Sequence, residues 1–155
     1  VVNLQGDEPL VDPREIDRLI VALRDDHSLE LATFGHAFTD ATLWNDPNAV
    51  KVVTAVDGSA LYFSRAAIPG TFPGSGASGH TGALRHVGIY AFRRSALERF
   101  LGLERTPLEI AEGLEQMRAL ENGMNIRVLV TDRAPVGVDT PDDLDAVRAV
   151  WRGRE

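Results

Sequence analysis

Apolar residues recur along the chain in two rhythms, and the switches between them predict its elements. Val1–Leu4 is a short apolar run that stops at Gln5-Gly6-Asp7-Glu8-Pro9, a strand leading into a glycine turn. Asp12, Pro13 and Glu15 open a helix whose Ile16, Leu19, Ile20 and Leu23 recur at helical spacing, as expected of a helix laying one face on a sheet. Leu29–Phe34 reads as the next strand and Asn45-Asp46-Pro47-Asn48 as a turn. Val50–Val56 and Ala60–Phe63 then flank Asp57-Gly58-Ser59, a strong hairpin signal.

From Gly70 to Gly82 the residues are mostly Gly, Ser, Thr, Ala and Pro, with Phe72 the only large apolar side chain, so a mobile loop is expected, either a connector or a flap. Strand character returns over Leu84–Phe92, and a short helix follows through Leu97, Phe100 and Leu101. Thr106-Pro107-Leu108-Glu109 has the form of a capping box, predicting a helix that ends at Gly123 with a stripe of Ile110, Leu114, Met117 and Leu120. Ile126–Val130 reads as a strand, and a final helix from Pro141 to about Arg152 is expected to bury Leu144, Val147, Val150 and Trp151. The alternation gives an α/β class, one domain over residues 1–155, with an antiparallel ribbon inserted.

Candidate chemistry gathers at strand exits. In open parallel sheets ligands lie beyond the carboxyl ends of the strands, which makes Asp7 a candidate ligand, although the same Gly-Asp-Glu-Pro run suits an ordinary turn. Near the other end Thr140 reads as an N-cap, Pro141 as the first helical residue and Asp143 as the capping-box position, which leaves Asp139 unassigned. Two aspartates at two strand exits suit a hard divalent cation, since magnesium takes one or two carboxylates and fills its shell with water and phosphate oxygens.

Composition narrows the classes. A net charge of -7 speaks against a nucleic-acid partner, and no run approaches the roughly 20 apolar residues of a membrane-spanning helix. Absence of cysteine removes disulfide and thiolate chemistry and fits a reducing cytoplasm. The first residue is valine within an apolar run, so further sequence is expected ahead of it.

Six segments carry a resemblance: Val2–Pro9, Asn48–Val53, Ala60–Pro69, Arg85–Tyr90, Pro107-Leu108-Glu109 with Leu114-Glu115-Gln116, and Gly137–Pro141. In order and spacing they resemble the 3-deoxy-manno-octulosonate (Kdo) cytidylyltransferases, the CMP-Kdo synthetases. The resemblance implies a Rossmann-like nucleotidyltransferase sheet flanked by helices, with the hairpin serving sugar binding or dimerisation. It further implies CTP and Kdo as substrates, Mg2+, a homodimer and a place in lipopolysaccharide synthesis. Asp7 and Asp139 would hold the metal, Gln5 would lie near nucleotide and sugar, and Arg65, His86, Glu115 and Gln116 would line the sugar pocket. The family's basic, glycine-containing nucleotide segment has no counterpart, so the chain resembles roughly the C-terminal three fifths of the family. The alternatives are a sialic-acid-type cytidylyltransferase, which the Arg85–Tyr90 and Leu114-Glu115-Gln116 segments disfavour, and a non-catalytic sugar-binding, dimerising fragment.

Each of these residues also has a plainer reading. Arg65, at a strand exit, could grip a carboxylate with two parallel hydrogen bonds or pair on the surface with one of many acids. His86 shares a strand face with Gly88 and Tyr90, where it is either a hydrogen-bonded structural residue or a donor to a sugar hydroxyl. Helical periodicity alone puts Glu115 and Gln116 on solvated flanks; only the resemblance brings them into a site.

Overall fold

In the computed structural model, which describes residues 1–6, 9–76, 78–133, 138 and 140–152, the strand β5 (Leu84–Phe92) organises the sheet. One side of β5 pairs antiparallel with β2 (Leu31–Ala37) along its length, and β2 pairs parallel with β6 (Ile126–Thr131). The opposite side is shared: β1 (Val2–Asn3) lies against Tyr90 and Ala91, and β3 (Lys51–Thr54) against Leu84 and Arg85. β3 pairs antiparallel with β4 (Ala60–Ser64), giving a six-stranded mixed sheet. The parallel sheet assumed from the strand exits is thus reduced to one parallel pair among the described strands, because β5 runs against three neighbours.

Helix α1 (Pro13–Asp25) starts where Asp12 accepts a hydrogen bond from the Arg14 amide and Pro13 fills the first turn. It buries Leu19 and Leu23 against Leu29, Phe34, Val87 and Ile89 on one sheet face, while Ile20 stays exposed. The other face carries the larger core, Leu31, Val52, Phe63, Tyr90, Phe92, Met117, Ile126 and Val128, closed by Phe100 of α3 (Arg94–Leu101). Side chains of β5 alternate between the two cores, with Val87, Ile89 and Ala91 on one and Tyr90 and Phe92 on the other, as strand geometry requires. Leu101, at the end of α3, faces solvent.

The hairpin forms as the Asp57-Gly58-Ser59 signal predicts: Gly58 adopts φ 86° and Asp57 Oδ1 accepts from the Ser59 amide at 2.9 Å. Its tip leaves Val56 and Asp57 exposed but is tied down at Gly58 and Ser59. The Val128 amide donates to the Gly58 carbonyl at 2.9 Å and Ser59 bridges to Arg127, so the tip seats on β6.

Between Ser64 and β5, residues 70–76 are irregular and Gly79–Gly82 forms one 3-10 turn. Gly79 lies against Trp44 of α2 (Ala41–Asn45), where a Cβ would stand 2.6 Å from the indole, and the Trp44 Nε1–H donates to the Ile68 carbonyl at 2.7 Å.

Three sequence expectations need correction. The helix expected to run unbroken to Gly123 is two, α4 (Pro107–Glu112) and α5 (Gln116–Glu121), divided at Gly113 with φ 63°. Ile110 consequently leaves the stripe and is exposed, while Leu114 and Met117 stay buried. In α6 (Pro141–Arg152) Val147 is buried, but Leu144, Val150 and Trp151 are exposed, Trp151 by 57%.

Candidate active-site cleft

The divided edge of β5 creates the site. β1 pairs with its C-terminal end and β3 with its N-terminal end, and the last contact on the β3 side is the His86 amide donating to the Val50 carbonyl at 2.8 Å. Beside Gly88, between the two, the Gln5 side chain lies flat on the strand: a Cβ on Gly88 would stand 3.1 Å from Gln5 Oε1. A cleft of about 360 Å³ opens there, lined by Gln5, Arg65, His86, Tyr90, Glu115 and Gln116, with Val50, Gly88, Gly113 and Leu114 completing it. Gln5, Arg65, His86, Glu115 and Gln116, drawn from four separate stretches of sequence, therefore share one cavity.

Arg65 leaves the end of β4 and is held by α4. Its Nε–H donates to the Glu112 carbonyl at 2.9 Å and Nη1 to the Pro47 carbonyl at 3.3 Å, while Nη2 has no partner among the described residues. The Glu112 carboxylate supports the same stretch from below, accepting from the Arg65 amide (2.9 Å), Ser64 Oγ (2.8 Å) and Tyr62 OH (3.2 Å). The side of the guanidinium fork that includes Nε is thus occupied, and an incoming anion meets the Nη end.

His86 is fixed by Thr33. The Thr33 hydroxyl lies 3.0 Å from the Val87 carbonyl and 2.8 Å from the Ile89 carbonyl, in the stretch where β5 bulges against β2. Carbonyls only accept, so the threonine hydrogen goes to them and Thr33 Oγ1 accepts from His86 Nε2–H at 3.0 Å. The ring carries its proton on Nε2, and Nδ1 remains an acceptor. Burial lowers its pKa from 6.5 to about 3, so the imidazole is neutral near neutral pH. Of the two sequence readings, the hydrogen-bonded one is seen here in the contact with Thr33. Phe63 meets the ring edge-on at 5.1 Å and Tyr90 lies 5.3 Å away on the other side. The Tyr90 hydroxyl is held protonated by burial, reinforced by the Glu115 carboxylate.

The break at Gly113 explains the far wall. A continuous helix would carry Gln116 to solvent; the left-handed residue re-aims the chain so that Leu114 and Gln116 are buried and Glu115 is exposed at the cleft. Across the break Glu109 holds α4 to α5 through Arg118, with Nε to Oε2 and Nη2 to Oε1 both at 2.9 Å, and Arg118 stacks over Phe100 at 4.8 Å. Burial works against the Glu109 charge, but the Arg118 hydrogen bonds and charge outweigh it and lower its pKa.

With this geometry in place, comparison with known proteins is decisive. A family model described as cytidylyltransferase matches residues 1–126, which include every cleft residue. The chain belongs to the cytidylyltransferase family. Among its relatives are two proteins named 3-deoxy-manno-octulosonate cytidylyltransferase. The one from Syntrophotalea carbinolica is 46% identical over 99% of this chain and 63% of its own length; the one from Nitratidesulfovibrio vulgaris is 48% identical over 95% and 58%. A solved CMP:2-keto-3-deoxy-manno-octonic acid synthetase complexed with CTP superposes with a TM-score of 0.89 at 42% identity, over 99% of this chain and 62% of that one. The chain thus spans about three fifths of the length of these cytidylyltransferases.

Against the family background, Tyr90, Gly113 and Glu112 are the residues that sequence reasoning passed over. Tyr90 was identifiable by sharing a strand face with His86, whereas Gly113 and Glu112 sit inside a helical pattern with no local signal of their roles. Asp7 and Asp139 lie outside the described residues; among those described, no group of three or more His, Cys, Asp or Glu side chains could hold a metal ion.

Proposed function

We propose that the cleft binds an eight-carbon acidic sugar, Kdo, and that the protein transfers a cytidylyl group from CTP to it, giving CMP-Kdo and pyrophosphate. The observation that carries this reading is the convergence of Gln5, Arg65, His86, Glu115 and Gln116 on one cleft in a chain of the cytidylyltransferase family. Arg65 offers its Nη end to the sugar carboxylate, a charge-assisted contact. Neutral His86 accepts from a hydroxyl through Nδ1, Glu115 accepts from further hydroxyls, and the Gln5 and Gln116 amides both donate and accept. The anomeric oxygen so positioned attacks the α-phosphorus of CTP in line; the new O–P bond forms as the bond to pyrophosphate breaks, and positioning supplies much of the rate.

Asp7 and Asp139 are the carboxylates offered to a magnesium ion, and their hard oxygen donors fit it. When bound, the ion would neutralise phosphate charge. A cytoplasmic homodimer acting in lipopolysaccharide synthesis follows from the same reading; the described residues contain no helix long and apolar enough to cross a membrane. A second reading is a sugar-binding lobe in which the cleft serves recognition without transfer.

Pyrophosphate release by the full-length polypeptide, with CTP and either Kdo or a sialic acid, distinguishes the readings. CTP- and Kdo-dependent release is expected. Release with sialic acid alone would reassign the sugar, and Kdo binding by calorimetry without release would leave only the lobe.

A further inference from the structure

Lys51 is the one lysine in the sequence and is fully buried, with 0% of its surface exposed. Among the described residues its ammonium meets no carboxylate at ion-pair distance; instead Nζ donates to two main-chain carbonyls, Asp46 at 2.8 Å and Arg65 at 2.6 Å. A buried charge satisfied only by carbonyls is costly to keep, and a neutral, well-packed side chain would ordinarily serve a core better. Burial indeed lowers its affinity for the proton, an effect eased by the Asp46 and Glu112 carboxylates and increased by the Arg65 guanidinium.

The two carbonyls belong to the segments that hold Arg65. Asp46 precedes Pro47, whose carbonyl takes Arg65 Nη1, and the second acceptor is the carbonyl of Arg65 itself. Glu112 secures the opposite side through the Arg65 amide and, by its own carbonyl, through Nε. Both main-chain groups of Arg65 and two of its guanidinium nitrogens are therefore tethered, and Lys51 ties the 46–48 turn to the Arg65 main chain where Arg65 Nη1 ties it to the side chain.

We infer that Lys51 is a positioning residue for anion recognition: its ammonium clamps the Asp46–Pro47 turn to the Arg65 main chain so that Arg65 Nη2 is presented to the sugar carboxylate. The inference rests on the proposed sugar site. Lysine suits the role because a compact ammonium on a flexible stem can satisfy divergent carbonyls.

A double-mutant cycle in the full-length polypeptide tests it. Lys51→Met is expected to raise the KM for Kdo about tenfold, the loss of one well-placed charge-assisted contact, with the KM for CTP changing less than about twofold. In an Arg65→Ala background the same substitution should raise the Kdo KM by less than about twofold, while its effect on melting temperature persists. Lys51→Gln, which keeps a donor on a shorter stem, provides the same cycle if the methionine variant does not fold. Equal Kdo effects in both backgrounds, an equal rise in the KM for CTP, or an unchanged Kdo KM would each overturn the inference. If Arg65→Ala by itself leaves the Kdo KM unaltered, the sugar-site reading falls instead.

Discussion

Arg65 enters the cleft with Nε and Nη1 already bound to main-chain carbonyls, so only part of its fork is available to a ligand. Arg65→Lys keeps a charge but gives up that tethered geometry, and the Kdo KM is expected to rise about tenfold or more while the KM for CTP stays nearly constant; kinetics with each substrate varied in turn checks it. His86 yields a prediction about pH. The folded ring resists protonation to about pH 3, well below its ordinary 6.5, so below about pH 6.5 the unfolded chain takes up a proton that the folded chain refuses. This contribution to stability is fully present above pH 6.5 and declines as pH falls toward 3. His86→Phe, which retains a ring beside Phe63 and Tyr90, should lose less stability than the parent between pH 7.5 and 5 in denaturant unfolding. Both residues were legible in the sequence as polar groups at the end of, or within, apolar strands. Their chemical states were not, because the partners that set them, Thr33 and Glu112, lie 53 and 47 positions away in the chain.

The two-helix corner formed by α4 and α5 combines one backbone conformation with one ion pair. Gly113→Ala forces a side chain into a left-handed φ of 63°, which costs about 1–2 kcal/mol. The melting temperature should fall by roughly 2–4 °C per kcal/mol for a chain of this size, with a higher Kdo KM as the Leu114–Gln116 wall shifts. Glu109→Gln leaves the largely buried Arg118 without its counter-charge, and a loss of about 3 kcal/mol is expected by denaturant titration at pH 7. The parent pair should be strong above about pH 4.5 and weaken as pH drops through the depressed Glu109 value, so the difference between parent and variant narrows in acid. At this scale the sequence was informative about starts and faces: Asp12-Pro13, Thr106-Pro107 and Asp57-Gly58 each mark the boundary or turn they predicted. It was silent about Gly113, since a glycine within a helical pattern is equally compatible with a tolerated residue or a break. It also overstated burial in α6, because periodicity reports which face is apolar and not how far its neighbours cover it.

Across the whole molecule, the expectation of α/β architecture agrees with the mixed sheet, but strand direction is not written in local pattern, and β5 turned out antiparallel to three neighbours. The stretch from Gly70 to Gly82 is anchored at Gly79 on Trp44, whereas Phe72 is 79% exposed. If this stretch acts as a flap, its amides should exchange more slowly when CTP and Kdo are saturating; unchanged exchange by mass spectrometry would identify it as a connector. The seating of the hairpin tip on β6 has a consequence for the order of assembly. A hairpin of this kind zips within microseconds from contacts close in sequence, but Val128 cannot accept its tip until β6 has emerged and paired with β2. Contacts this distant along the chain make folding slow. The hairpin tip therefore reaches its final position among the last events, and a nascent chain stalled before residue 126 would carry a ribbon whose base can pair with β5 while its tip has no seat.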